Sequence, residues 1–533
     1  MTQKTVLSLP EIASLVCKFS SQGDCTRIAR VSRALFKAAA PVVWAYVSDV
    51  GYLLALLEHA EFKKSEFDYS NVKVKIALTA THTMDQSFSR FDTYAAYVKA
   101  LCVYGMNYNG RPRCHVEGWS NLLSRARHSP LLPNLRSIRI ELPREHPPDY
   151  FMWIIALSSP SLTHIIVESD ISTSPPIFMS YKVASLVLAA VMRHQPSLQR
   201  LDLYAAQEVG ANDDDGESFL LALIPTELFY RHINNVHTLR HLCGTCAWFQ
   251  EEPLVILSQL PVLETIDLHI NSETPHPDMN SLLSDNSFPA LRRLIIDTPF
   301  CDRAITFMST PNLVKRLTSL SLAFESRNLT IHDHFWTPWP EIFCNAIAHT
   351  PHLKSLEILL TCLTFLFPIN KNMLNVLSKL PLQTLILGGV AFDEDTGTDA
   401  TIQDMIAALP KLTELRLLHQ EVTLSQLLEF GRMPNLRHLE LKLDFSKPVA
   451  VSECAVSSAP IECIEGSREG GEMCKKKSQA HLIARNLKLC WPNLKRIEWR
   501  AFPISSILDM LDLINEELEP SDELDYNRVP LDE

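Results

Sequence analysis

A short pattern recurs along most of this 533-residue chain: leucine, two variable residues, an apolar residue, one variable residue, an apolar residue. It reads LRSIRI from Leu135, LTHIIV from Leu162, LQRLDL from Leu198 and LETIDL from Leu263. It continues as LRRLII from Leu291, LTSLSL from Leu317, LKSLEI from Leu353, LQTLIL from Leu382, LTELRL from Leu412, LRHLEL from Leu436 and LKRIEW from Leu494. LRHLCG from Leu239 is a weaker copy, because Gly244 takes the last apolar place, and VKALCV from Val98 is an early degenerate one. Between Leu135 and Leu436 the intervals run from 24 to 41 residues. Proline often stands two positions before the first leucine, as at Pro133, Pro196, Pro261, Pro351 and Pro434. There it stops a preceding helix and starts an extended segment.

The alternating end of each copy fits a strand, and helix-compatible segments lie between copies. Tyr181 to His194 is one, with Val183, Leu186, Val187 and Val191 as its apolar face. One strand and one helix cannot bury their apolar sides alone, so such units stack into a parallel sheet with the helices outside. An ordinary α/β domain with chance leucine pairs does not account for so many spaced copies. From Asn134 to Phe502 the chain resembles the leucine-rich-repeat family in an irregular form, with the family's turn asparagine matched at Asn271 and missing from most repeats. The expected fold class is α/β: a helical module followed by an irregular solenoid with parallel strands on its concave face.

The helical module is SLPEIASLVCKFSSQGDCTRIARVSRALFKAAAPVVWAYV, Ser8 to Val47. Ser8 and Glu11 have capping-box spacing, and Ile12, Leu15, Val16 and Phe19 recur at helical intervals. Gly23 is read as ending the first helix, Asp24 as capping a second with Ile28, Val31 and Leu35, and Pro41 as opening a third with Val43, Trp44 and Val47. This region resembles an F-box, carried by Leu9 and Pro10, by Ile12, Leu15 and Val16, by Asp24, by the VSR of Val31 to Arg33, and by APVVW ending at Trp44. Ser32 and Phe36 stand where that family usually has cysteine and tryptophan. The resemblance implies docking on the Skp-type adaptor of a cullin-RING ubiquitin ligase through Leu9, Pro10, Ile12, Leu15, Val16, Val31, Arg33, Pro41 and Trp44. A three-helix unit this small has little interior, and a partner is one way to cover its apolar residues. A cap shielding the first repeat is the competing reading.

The expected organisation is an F-box-like module over 1–50, a linker and cap over 51–133 and the repeats over 134–445. A disordered insertion follows over 446–478, then a terminal repeat and cap over 479–511 and an acidic tail over 512–533. The net charge of -12 is concentrated in that tail, and no basic block marks a nucleic-acid partner. The first residues lack the apolar run of a signal peptide, and the most apolar later stretch, Leu356 to Pro368, is too short to span a bilayer. Thirteen scattered cysteines suit reduced intracellular thiols, which places the chain in cytoplasm or nucleus without separating the two.

Side chains between the inward apolar residues of each strand form two columns on the opposite sheet face. One runs Arg139, Ile166, Asp202, Cys243, Asp267, Ile295, Ser321, Glu357, Ile386, Arg416, Glu440 and Glu498. Beside it run Ser137, His164, Arg200, His241, Thr265, Arg293, Ser319, Ser355, Thr384, Glu414, His438 and Arg496. Many of these charges pair with one another across strands. Glu414, Arg416, His438, Glu440, Arg496 and Glu498 cluster near the end and are the candidate contacts for a polar protein or peptide ligand.

Catalytic and metal signatures are weak. His232, His237, His241, Cys243 and Cys246 contain a single CxxC without a second pair at finger spacing, so no metal is expected. Ala211 to Phe219 imitates a calcium loop but has Ala211 and Ala222 at ligand places. Nothing resembles a phosphate loop, a GxSxG elbow or HExxH, so neither an enzyme nor a cofactor is expected. The combined reading is the substrate-recognition subunit of an SCF-type ligase that binds a target protein through its repeats. The alternative is a non-catalytic leucine-rich-repeat scaffold or sensor.

Overall fold

The computed structural model describes residues 10–58, 60–64, 71–76, 84–103, 113–142, 150–169, 179–194, 197–206, 226–270, 277–299, 301–324, 344–360, 366–392, 398–446, 459–466, 476–499 and 505–518. They divide into two compact units, residues 1–282 with 287–290, and residues 283–286 with 291–533.

The first unit opens with α1 (Pro10–Phe19), α2 (Gln22–Ala29) and α3 (Arg33–Val43). Three helices are as expected, but the breaks fall elsewhere. The Ser21 side chain accepts from the Asp24 amide, so Ser21 caps α2 and Asp24 lies in its first turn. Ser32 caps α3 by accepting from Leu35, and Pro41 lies inside the last turn of α3 rather than at a helix start. Ser8 and Leu9 lie outside the described residues.

Seven parallel strands follow in this unit: β1 (Tyr46–Val47), β2 (Ala100–Val103), β3 (Ser137–Leu142), β4 (His164–Ser169), β5 (Arg200–Leu203), β6 (His241–Thr245) and β7 (Thr265–His269). The ladder thus begins at Tyr46, within the segment assigned to the helical module, and Val98 introduces its second strand. A small separate sheet joins Ala60–Lys64, Asn71–Ile76 and Arg113–Glu117. Outer helices α4 (Trp119–His128), α5 (Tyr150–Leu157) and α6 (Tyr181–Met192) pack in succession. In α6 the buried stripe is Ala184, Val187, Leu188 and Val191, an i, i+3, i+4, i+7 set, while Leu186 from the expected face is exposed.

The second unit carries eight parallel strands: β8 (Arg293–Asp297), β9 (Ser319–Phe324), β10 (Ser355–Leu360), β11 (Thr384–Gly388), β12 (Glu414–Thr423), β13 (His438–Asp444), β14 (Cys463–Gly466) and β15 (Arg496–Trp499). Helices α7 (Lys371–Leu377), α8 (Thr398–Ala408), α9 (Leu424–Glu429), α10 (Lys477–Cys490) and α11 (Ser505–Leu518) succeed one another beside them.

Strand β14 corrects the assignment of 446–478 to an insertion: Cys463–Gly466 pairs with β13 on one side and β15 on the other. Its local sequence is Ile461, two residues, Ile464, one residue, Gly466, so isoleucine replaces leucine and glycine replaces the last apolar residue. Ile461 and Ile464 are fully buried, as the motif requires. The long interval after Leu436 therefore contains a further strand of the ladder. The tail boundary moves as well, since α11 runs to Leu518 and buries Ile514 and Leu518, while Asn515 bonds both the N–H and the C=O of Ile497.

The core follows the motif closely. First-position leucines such as Leu135, Leu198, Leu291, Leu353 and Leu436, and their fourth-position partners Ile138, Leu201, Leu294, Leu356 and Leu439, have no exposed surface. The weak copy at Leu239 forms a full strand because Trp248, itself completely buried, fills the place of the missing side chain. Its indole N–H donates to the Leu203 carbonyl at 3.1 Å. A Cβ at Gly244 would collide with that indole and lie 2.7 Å from the same carbonyl oxygen. Gly244→Ala is expected to cost about 2–4 kcal/mol, from overpacking plus a lost buried hydrogen bond. Denaturant unfolding checks this, and a loss under about 0.5 kcal/mol, the range of a neutral surface change, would show that Trp248 can move aside.

Candidate functional site

The two expected columns run along the strand ladders within each unit, with the β4–β5 pairing covering only His164–Arg200 and Ile165–Leu201. In the first, Arg139 faces Ile166, Arg200 faces His241, and Asp202, Cys243 and Asp267 follow one another across β5, β6 and β7. In the second, Glu414 faces His438 and Arg416 faces Glu440, while Cys463 and Glu465 of β14 stand between His438 and Arg496 and between Glu440 and Glu498. Alternation alone places all these side chains outward, yet Asp202, Cys243, Ser321, Glu440 and Glu465 are buried. Neighbouring long side chains cover them, which a one-strand pattern does not reveal.

Asp202 shows what that burial is for. It has no exposed surface, and its carboxylate accepts from Arg200 Nε at 3.0 Å, from Arg200 Nη2 at 3.1 Å and from the Val167 N–H at 3.0 Å. The β4–β5 ladder runs through His164 and Ile165, and Asp202 then supplies the acceptor for the next inward amide. Burial alone would lower the Arg200 pKa, but hydrogen bonds and charge from Asp202 outweigh it and hold the guanidinium above its usual value. Burial, then the Arg200 charge, lowers the pKa of His164 and of His241, keeping both rings neutral near pH 7. Burial followed by the nearby carboxylates of Asp202 and Asp267 raises the Cys243 thiol, so it is a poor nucleophile and a reluctant metal ligand.

Of the residues considered as a metal set around the CxxC, Cys243 is buried on β6 while Cys246 begins the next turn and is also buried; His237 is exposed on the preceding loop. The structure does not gather them. The calcium-like segment 211–219 lies outside the described residues.

In the second unit, Arg416 reaches Glu414 at 2.6 Å and Glu440 at 3.3 Å, and His438 Nε2 lies 3.3 Å from Glu465 Oε1. Arg496 pairs with Glu498 on its own strand and keeps 66% of its side-chain surface exposed. Four of the six candidate contacts lie on the adjacent strands β12 and β13, whereas Arg496 and Glu498 lie on β15, beyond β14; Arg416 and Glu440 belong to the framework and Arg496 is largely exposed. Sequence spacing missed Cys463 and Glu465, which the PIECIEG stretch would have supplied if isoleucine had been allowed in the leucine place.

This chain has a leucine-rich-repeat fold. In-register parallel strands, buried motif leucines and helices packed in series define it. No protein-family model and no curated protein sequence matches the chain. Among solved structures it is similar to an internalin (inlF) from Listeria monocytogenes, at 13% identity and a TM-score of 0.29, covering 81% of this chain and 88% of that one. It is similar to the leucine-rich repeat-containing protein LegL7 from Legionella pneumophila, at 15% identity and 0.29, covering 65% and 90%. It is also similar to a chain of the mouse RP105/MD-1 complex, at 13% identity and 0.29, covering 83% and 82%. Among the described residues no helix is long and apolar enough to cross a membrane.

A second candidate surface lies on the helical module before the repeats. Its interior is closed by small side chains, Ala13, Cys17, Cys25, Ala38 and Ala39, with Ile28, Leu35 and Val42 packed against them. The larger apolar residues of α1 face outward: Leu15 is 56% exposed, Phe19 80%, and Val16 is exposed beside them. Helical spacing puts Ile12, Leu15, Val16 and Phe19 within a 100° arc, so they form one face. Val31, at the α2–α3 turn, is 72% exposed, and Pro10, Arg33 and Pro41 are exposed too. Trp44 differs, being half-buried with its ring 4.7 Å from that of Tyr94, so it fastens the module to the first repeats.

Proposed function

We propose that this chain is the target-recognition subunit of an SCF-type cullin-RING ubiquitin ligase, docked through α1 on a Skp-type adaptor and binding a target protein through its strand ladders. The observation that carries the reading is the outward apolar face of Leu15, Val16 and Phe19 on a module whose own core is already filled by alanines and cysteines. A mere cap would turn its large apolar side chains toward the repeat it shields. Here Trp44 serves that purpose and the α1 face is left over. Resemblance to the F-box supplies the identity of the partner. Target recognition then falls to the ladder's accessible polar groups, foremost Arg496 and Glu498, with Glu414 and His438 half-buried beside them. The RING partner and the conjugating enzyme would supply the chemistry, and this chain proximity and orientation.

The test is capture of purified Skp-type adaptor by the full chain and by Leu15→Asp/Phe19→Asp. Both side chains are exposed, so the variant is expected to melt with the wild type. Removing two buried anchors from an interface, each worth about 2 kcal/mol, predicts at least about 100-fold weaker binding. A folded wild type that captures no adaptor at micromolar concentration would leave the capped scaffold as the better account.

A further inference from the structure

We propose that His438, Cys463 and Glu465 form a divalent-cation site, and that zinc is the metal their donors fit. Among the described residues they place an imidazole nitrogen, a thiol sulphur and a carboxylate oxygen all within 4.8 Å of one another. The arrangement follows from the ladder. His438 of β13 stands directly opposite Cys463 of β14, and Glu465, two residues further along β14, projects from the same sheet face. The His438 Nε2 atom is buried and makes no hydrogen bond, although the Glu465 carboxylate lies 3.3 Å away at ion-pair distance. A buried ring nitrogen without a hydrogen bond calls for a partner, and a bound cation is one that would serve.

The surrounding charge favours a cation. Glu414, Glu440, Glu465 and Glu498 lie on these adjoining strands, with Arg416 paired to Glu414 and Glu440 and Arg496 paired to Glu498. Two of the four carboxylates, Glu440 and Glu465, are almost completely buried. A divalent ion would add positive charge beside these carboxylates, and its binding releases the Cys463 proton to solvent as the S–H bond gives way to a metal–thiolate bond. Arg496 stands opposite Cys463 in register on β15, and being mostly exposed and paired with Glu498 it can turn away from the sulphur.

The donor set selects the metal. Magnesium and calcium ask for oxygen donors alone, and copper(I) for several soft sulphurs, whereas zinc accepts one nitrogen, one sulphur and one oxygen. Around a tetrahedral zinc with bonds of about 2.0–2.3 Å the donors sit roughly 3.4–3.7 Å apart. Three protein ligands leave a fourth position for water or for a group of a bound partner.

The experiment uses the full chain stripped with chelator, dialysed, and titrated with zinc and, separately, with cobalt(II). One equivalent of zinc at micromolar or tighter affinity is expected, together with a thiolate-to-cobalt charge-transfer band. Cys463→Ser should abolish the band, and His438→Gln should weaken zinc binding more than about 100-fold, beyond the loss of an outer-shell partner. Cys243→Ala should change neither. Absence of stoichiometric binding, or a cobalt band that survives Cys463→Ser, overturns the proposal. Circular dichroism of each variant separates loss of ligand from loss of fold, with Glu465→Gln as the replacement should either fail to fold.

Discussion

Arg200→Met is expected to cost the first unit about 3–5 kcal/mol, because it strands a carboxylate inside the protein. Asp202 has no exposed surface, and two of its three hydrogen bonds come from the Arg200 guanidinium in a bidentate pair. Methionine keeps the aliphatic stem of Arg200 and its packing, so the loss reads the charge rather than a cavity. What remains for Asp202 is the Val167 amide, which cannot neutralise it. Substitution of the partner is milder: Arg200 is 36% exposed and can turn to water when Asp202 goes. Adding Asp202→Asn to Arg200→Met removes the charge while keeping an acceptor for Val167, and should recover about 2 kcal/mol. Denaturant unfolding measures the totals, and hydrogen exchange at the Val167 amide reports the same loss locally. A single variant within about 1 kcal/mol of wild type would mean that water reaches the carboxylate.

Arg416→Met makes the corresponding case in the second unit, with an expected loss of about 3 kcal/mol and a fall of roughly 6–12 °C in its melting transition. Arg416 bridges Glu414 and Glu440, and Glu440 retains only 2% of its surface. Burial opposes the charged guanidinium, but the hydrogen bond and charge of Glu414, then Glu440, outweigh it and raise its pKa. Arg496→Met is the contrast, since an exposed pair with Glu498 contributes no more than about 1 kcal/mol. The same two positions therefore separate stability from recognition. Charge reversal at Arg496 should change target capture at constant melting temperature, whereas reversal at Arg416 damages the fold before it can report on any ligand. Equal melting temperatures for Arg416→Met and Arg496→Met would show that Glu440 is not held by Arg416.

Spacing alone determined a great deal here. A leucine, a residue three places on and another two beyond that must face one way in an extended strand, so the pattern placed the buried positions from Leu135 to Leu441 and the order of the polar columns as far as His438 and Glu440. It also marked three N-terminal helices and the apolar residues of α1, because helical and extended periods differ. What spacing could not determine was which outward residues remain in water. Leu15 and Phe19 are exposed because Ala13 and Cys17 fill the module's small interior, a matter of volume among three helices. Asp202 and Glu440 are buried because arginines from the same or the next strand lie over them. Strand β14 escaped notice because its motif reads isoleucine and glycine where leucine and an apolar residue are usual, and only its hydrogen-bonded neighbours compel it to be a strand. The gathering of His438, Cys463 and Glu465 depends on that strand lying where it does. Periodicity is a property of one segment and can be read from the chain, whereas burial of a polar side chain and convergence of donor atoms depend on which segments lie side by side, and tertiary structure alone decides that.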